Sequence, residues 1–193
     1  LVTGGRTEID LKIKNEIPDL ANIYNFIGKT SLKEYLILSE LSSAYIGMDT
    51  LNMHIAASQN KRIFAIFGST KLEMWSPWSN QLKSSAIKNL PSQTYGNNTI
   101  FQPTLPCEVC GMSGCGSNHG KDNFPNIINP EEIFKYIKEW YINPKKLDKN
   151  IKSSELIYNA RKVLLYIVYG DNQTYYDGAI FSFMTFMHWM DNK

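Results

Sequence analysis

The stretch "SAYIGMDTLNMHIAAS", residues 43 to 58, decides how this chain is read. Its first six residues are small, apolar or β-prone, as in a buried strand, and "TLNMHIAAS" suits a short helix. Asp49, Thr50, Asn52 and His54 crowd the junction. Polar side chains at such a place either cap the helix, for about 1 kcal/mol, or hold a ligand. A helix that starts at about Asp49 has first-turn N–H groups with no intrahelical partner and the positive end of its dipole behind them. That arrangement suits phosphate. Thr50 adds a hydroxyl. His54, four residues further on, shares its face and can donate a hydrogen bond to an anion. Asp49 would repel phosphate, so it suits the N-cap or a sugar hydroxyl better. A histidine beside Met53 and Ile55 is also a common structural residue, and spacing alone leaves both readings open.

The flanks extend the same pattern. "LVTGG" at the start reads as the end of a buried strand and a glycine turn. "RTEIDLKIKNEIPDL" (6 to 20) suits a helix ending at Pro18, and "NIYNFIG" (22 to 28) a strand closed by glycine. "SLKEYLILSELS" (31 to 42) has helical spacing, with Thr30 or Ser31 as N-cap. "RIFAIFG" (62 to 68) is a continuous apolar run, as in a strand buried on both faces. Strand and helix thus alternate over residues 1 to 68. The expected fold class is α/β, a Rossmann-like parallel sheet with helices on both faces. Ligands bind such sheets beyond the carboxyl ends of the strands, and residues 49 to 54 lie at such an end.

The regularity then fades. "MWSPWSNQ" (74 to 81) reads as a loop, and residues 90 to 129 as one long irregular segment. "NPEEIFKYIKEWY" (129 to 141) is a helix with Pro130 in its first position. Helices are also expected over 153 to 170 and over the apolar stretch 172 to 190. The division is therefore a Rossmann-like domain over 1–141 and a helical extension over 142–193.

Bulk properties narrow the class. The chain has 193 residues, enough for one substantial domain with an appendage. A net charge of +2 without a long basic run gives no footprint for nucleic acid. No stretch has the ~18 consecutive apolar residues of a membrane span, and the start lacks the order of an export signal. An odd count of 3 cysteines argues against a disulfide framework, so a cytoplasmic setting is expected. A chain that begins inside a strand is expected to be a piece of something longer.

Four elements, in order, carry a resemblance: "GKTSL" from Gly28, "MDTLNMHIAAS" from Met48, the strand ending "FGST" and the segment "WSPW". Together they resemble the C-terminal half of family 9 glycosyltransferases, the heptosyltransferases of lipopolysaccharide synthesis, over roughly residues 1 to 141. The resemblance implies one half of a two-domain GT-B enzyme, an inverting sugar transferase. This half would bind a nucleotide-diphosphate sugar, ADP-heptose-like, and an N-terminal domain would bind a glycan or lipid-linked acceptor. The diphosphate contacts would fall on Asp49, Thr50, Leu51, Asn52 and His54. The Gly28, Lys29 and Thr30 turn would lie near the nucleotide, and the helix start around Arg6 and Glu8 near the ribose or base. No cofactor is required for this chemistry. The family's domain has a further strand and a phosphate-facing loop before the position of "LVTGG", and its partner domain supplies the base. The chain alone is thus expected to be inactive. One departure bears on binding. Leu51 stands where the family has glycine, and a glycine there lets phosphate approach the backbone. That change favours a rival reading, a non-catalytic binding or assembly module on a Rossmann-like scaffold.

Two further features stand apart. Cys107, Cys110, Cys115 and His119 offer three thiolates and an imidazole, a tetrahedral set for structural zinc, or for iron. Three reduced cysteines in a loop is the plainer alternative. The last expected helix is apolar over most of its circumference, which suits packing against a neighbouring helix, another domain or a second subunit in a homo-oligomer. A peripheral seat on the inner face of a membrane is the sharper alternative.

Overall fold

A computed structural model describes residues 1–68, 70–86, 88, 90, 92–102 and 128–142, and the backbone of Leu164–Ile167. Strand β1 (Val2–Thr3) leads into helix α1 (Glu8–Glu16). Helix α2 (Leu32–Leu41), strand β2 (Ala44–Met48), helix α3 (Leu51–Ser58) and strand β3 (Arg62–Ile66) follow. A short helix α4 (Leu72–Trp75), strands β4 (Ser92–Tyr95) and β5 (Asn98–Phe101), helix α5 (Pro130–Ile142) and strand β6 (Leu164–Ile167) complete the described elements. The strands form one sheet in the order β1-β6-β2-β3-β5-β4. Every pair is parallel except β4 with β5. The α/β parallel sheet expected from the alternation is present.

Side-chain alternation explains how both faces are covered. In β2 and β3, Ala44, Ile46, Phe64 and Ile66 pack with Ile13 of α1 and with Ile133, Ile137 and Trp140 of α5. The alternate residues Tyr45, Ile63 and Ala65 pack with Tyr35 of α2, with Met53, Ala56 and Ala57 of α3 and with Leu72 of α4. All five residues of β3 are buried, which is why "RIFAI" carries no polar alternation beyond its first residue. The α5 anchors recur every three to four residues, one face of a helix. Trp140 meets the Phe64 ring edge-on, with centroids 5.8 Å apart.

Helix starts follow local chemistry. Thr7 caps α1 in a reciprocal box with Asp10, and Ser31 caps α2 in the same way with Glu34. Of the two caps expected for α2, Ser31 is the one used.

Four expectations need correction. Residues 22 to 28 are not a strand. Tyr24 and Phe26 exchange backbone bonds with Val2, but pairing is limited to a single bridge, Val2 with Asn25. Asn25 disrupts the run, because its side chain accepts from Ile27 N and donates to Lys14 O. The long irregular loop contains a hairpin, β4–β5, turned by Gly96 at φ 51 and Asn97. "MWSPWSNQ" is not loop throughout, since α4 takes in Met74 and Trp75. Finally, the helix expected over 153 to 170 contains strand β6, set between β1 and β2, so the 142–193 extension is not wholly helical. "LLYI" is a short apolar run, and such runs fit a strand covered on both faces as readily as a helix. The other residues of 153 to 170, and the helix expected over 172 to 190, lie outside the described residues. Among the described residues no helix is long and apolar enough to cross a membrane.

Candidate functional site

The parallel strands β2 and β3 end together. Asp49, just past β2, donates its amide to Ile66 O at the end of β3 (3.2 Å). Helix α3 then begins with Thr50 as N-cap, in extended backbone. Asp49 therefore lies one residue before the cap, which corrects its expected capping role. Thr50 holds the capping position, but its side chain makes no capping bond to α3. Neither polar residue at the junction is a helix cap in the ordinary sense. The amides of Leu51 and Asn52, first in the helix, have no intrahelical acceptor.

Asp49, Thr50, Asn52 and His54 are all half-buried, while Met53 between them is fully buried. The four form one polar cluster at the carboxyl edge of the sheet. Burial pushes the Asp49 carboxyl above its ordinary range, and a hydrogen bond from Thr70 and the charge of His54 act in the opposite direction. Leu51 is 62 % exposed. Its φ is not positive, so the backbone here has no need of glycine. The exposed Leu51 side chain stands beside the first amides of the helix.

A second group sits at the end of β1. Gly28 has φ 71, donates its amide to Gly4 O and accepts from Arg6 Nε at 3.0 Å. The left-handed backbone is what glycine supplies there. Lys29 turns its ammonium back onto Asn25 O at 3.0 Å. Thr30 is half-buried beside it, and Glu8 is exposed in the first turn of α1. Sheet order places β6 between this group and the Asp49 cluster. The Gly28 segment flanks β1 on the side away from β6, so about three strand spacings, roughly 14 Å, separate its turn from the end of β2.

Two partnerships escaped the sequence reading, those of Tyr45 and of Thr70, the last residue of the "FGST" element. Tyr45 Oη donates to Met48 O at 2.7 Å and lies 3.4 Å from Thr50 Oγ1. A tyrosine in an otherwise aliphatic strand was the available signal, because a buried phenol seeks a polar partner. Thr70, which bonds Asp49, follows the neighbouring strand end. Cys107, Cys110, Cys115 and His119 lie outside the described residues, and no metal-binding group occurs among those described.

Comparison with known proteins identifies the family. The family description glycosyltransferase family 9 (heptosyltransferase) matches residues 1–104, which include both groups. Lipopolysaccharide heptosyltransferase 3 of Escherichia coli is 32 % identical over 85 residues, 42 % of this chain and 25 % of that protein. Lipooligosaccharide heptosyltransferase 2 of Campylobacter jejuni is 26 % identical over 117 residues, 61 % of this chain and 32 % of that protein. The matches thus span a quarter to a third of the length of these curated relatives. No solved structure matches significantly. A family match over more than half of the chain, on a parallel α/β sheet, leads to one conclusion: the chain belongs to glycosyltransferase family 9, the heptosyltransferases.

Proposed function

We propose that this chain is the donor-binding part of an inverting sugar transferase. It takes a heptose-like sugar from a nucleotide-diphosphate donor to a lipopolysaccharide or other glycan acceptor. One observation carries the reading: four polar residues crowd the start of α3 at the carboxyl edge of the sheet, and the N-cap among them does not cap. In this reading the Leu51 and Asn52 amides and His54 face the diphosphate as charge develops on it, which is the most effective use of fixed dipoles in catalysis. The Gly28 turn, beyond β6 and β1 along the same edge, receives the other end of the donor. The base that activates the acceptor hydroxyl comes from another domain, and the chain alone does not turn over. The names of the relatives support the sugar and acceptor classes.

A second reading has Leu51 in its favour: a scaffold that has lost donor binding. Calorimetry with ADP, UDP and GDP separates the two. The first reading expects binding that falls at least tenfold in His54→Ala and Asp49→Ala. The scaffold reading expects no binding by wild type and recovery of binding in Leu51→Gly. Wild-type binding that both alanine variants retain would overturn the assignment of the site.

A further inference from the structure

We propose that Tyr45 is a positioning residue that keeps the start of α3 open to an anion by holding Thr50 away from the capping position. The inference rests on the donor-site reading above and deepens it.

The packing of Tyr45 needs only a ring. Its side chain is fully buried among Met53, Ala56, Ile63 and Ala65, an apolar cluster that phenylalanine would fill equally well. The phenol oxygen is the part that packing does not explain. It stands under the β2–α3 turn and donates its one proton to Met48 O at 2.7 Å. Thr50 Oγ1 lies 3.4 Å away, and with the phenol proton on Met48 O the threonine can serve as donor in their contact. A threonine at an N-cap ordinarily turns its oxygen to the second or third amide of the helix. Here it makes no such bond. From the other side, Tyr35 of α2, also buried, donates to Asn52 O at 3.4 Å. The two phenols thus touch the turn at Met48, Thr50 and Asn52, the bond to Met48 O being the short one, and the Thr50 side chain lies by Tyr45 without capping the helix. An anion arriving at α3 meets amides that no side-chain cap has claimed.

The consequence is specific. Removing the Tyr45 hydroxyl frees Thr50 to rotate and cap α3, and the cap then competes with the ligand. Tyr45→Phe should weaken ADP and inorganic pyrophosphate about 5- to 10-fold, the effect of one hydrogen bond of about 1 kcal/mol. Binding of adenosine, which has no phosphate, should not change. Because the effect passes through Thr50, adding Tyr45→Phe to Thr50→Val should cost less than twofold.

Amide exchange by NMR without any ligand supplies a second readout. Tyr45→Phe should slow exchange at Asn52 or Met53 as the new cap forms, and Tyr45→Phe/Thr50→Val should reverse it. If Tyr45→Phe matches wild type for ADP and pyrophosphate, or leaves those amides unchanged, the proposal is overturned. Equal losses for ADP and adenosine would mean a general structural role and overturn it as well. If wild type binds none of the nucleotides or pyrophosphate, the donor-site reading fails and takes this proposal with it. Normal wild-type binding with an indifferent Tyr45→Phe sinks the proposal alone.

Discussion

Substituting Gly5 by alanine tests how the turn after β1 is built. A methyl group at Gly5 would stand 2.6 Å from Asp10 Oδ2, well inside contact distance. An exposed carboxylate would swing aside at little cost, but Asp10 is only 2 % exposed. Its Oδ2 accepts from Thr7 N at 2.9 Å and from Thr7 Oγ1 at 2.6 Å, and its amide donates to Thr7 Oγ1 at 3.2 Å. Admitting the methyl therefore breaks the capping box of α1. Bonds to a charged group are worth about 1.5–3 kcal/mol. Alanine restricts the unfolded chain and returns about 0.4–1 kcal/mol, because Gly5 does not sit in the left-handed region. The net loss is about 1–2 kcal/mol, and thermal unfolding followed by circular dichroism should show a fall in Tm of roughly 2–8 °C. The same substitution in an Asp10→Ala background meets no obstacle, so there its sign reverses to a small gain. A Tm unchanged by Gly5→Ala alone, or an equal loss in both backgrounds, would refute the mechanism.

Two further predictions follow from the carboxylate and thiol groups. The Asp49 pKa is raised by burial, so the folded state holds its proton more tightly than the unfolded chain. Its contribution to stability is complete at acid pH, below the ordinary value of 3.8, and is lost as pH rises through the folded value. Asp49→Asn should therefore gain on wild type in Tm between pH 3.5 and 7, and a difference that stays flat or shrinks with rising pH would contradict this. If Cys107, Cys110, Cys115 and His119 hold structural zinc or iron, protein purified without chelator should carry about one metal ion per chain by elemental analysis. Cys110→Ser should lower that to a small fraction, and metal-free wild type would dismiss the site.

The sequence was legible where each residue has one demand to meet. From Ala44 to Ile66, strand and helix follow from burial on both faces, and the Asp49–His54 cluster is conspicuous because nothing apolar explains it. It was opaque where a short run meets two demands equally. "NFIG" reads as a strand until Asn25 spends its side chain on a local turn. "LLYI" lies inside a helix-like stretch, yet it pairs with both β1 and β2, and nothing local reports that long-range partnership. The β4–β5 hairpin is a different kind of miss, because "TYGNNTIF" carries its own signal, a Gly-Asn turn between β-prone residues.

The cluster itself shows what geometry adds to a motif. Read as letters, Asp49 and Thr50 are two cap-forming residues in a row, and capping is the simplest account of them. In the fold, Asp49 is engaged with Thr70, and the Thr50 hydroxyl lies within reach of Tyr45. Both are drawn off the helix by neighbours that sequence order does not reveal. The junction is rich in capping residues, yet the first amides of α3 are left to water or to an anion. In the donor-site reading proposed above, a diphosphate would match the positive end of this helix in charge.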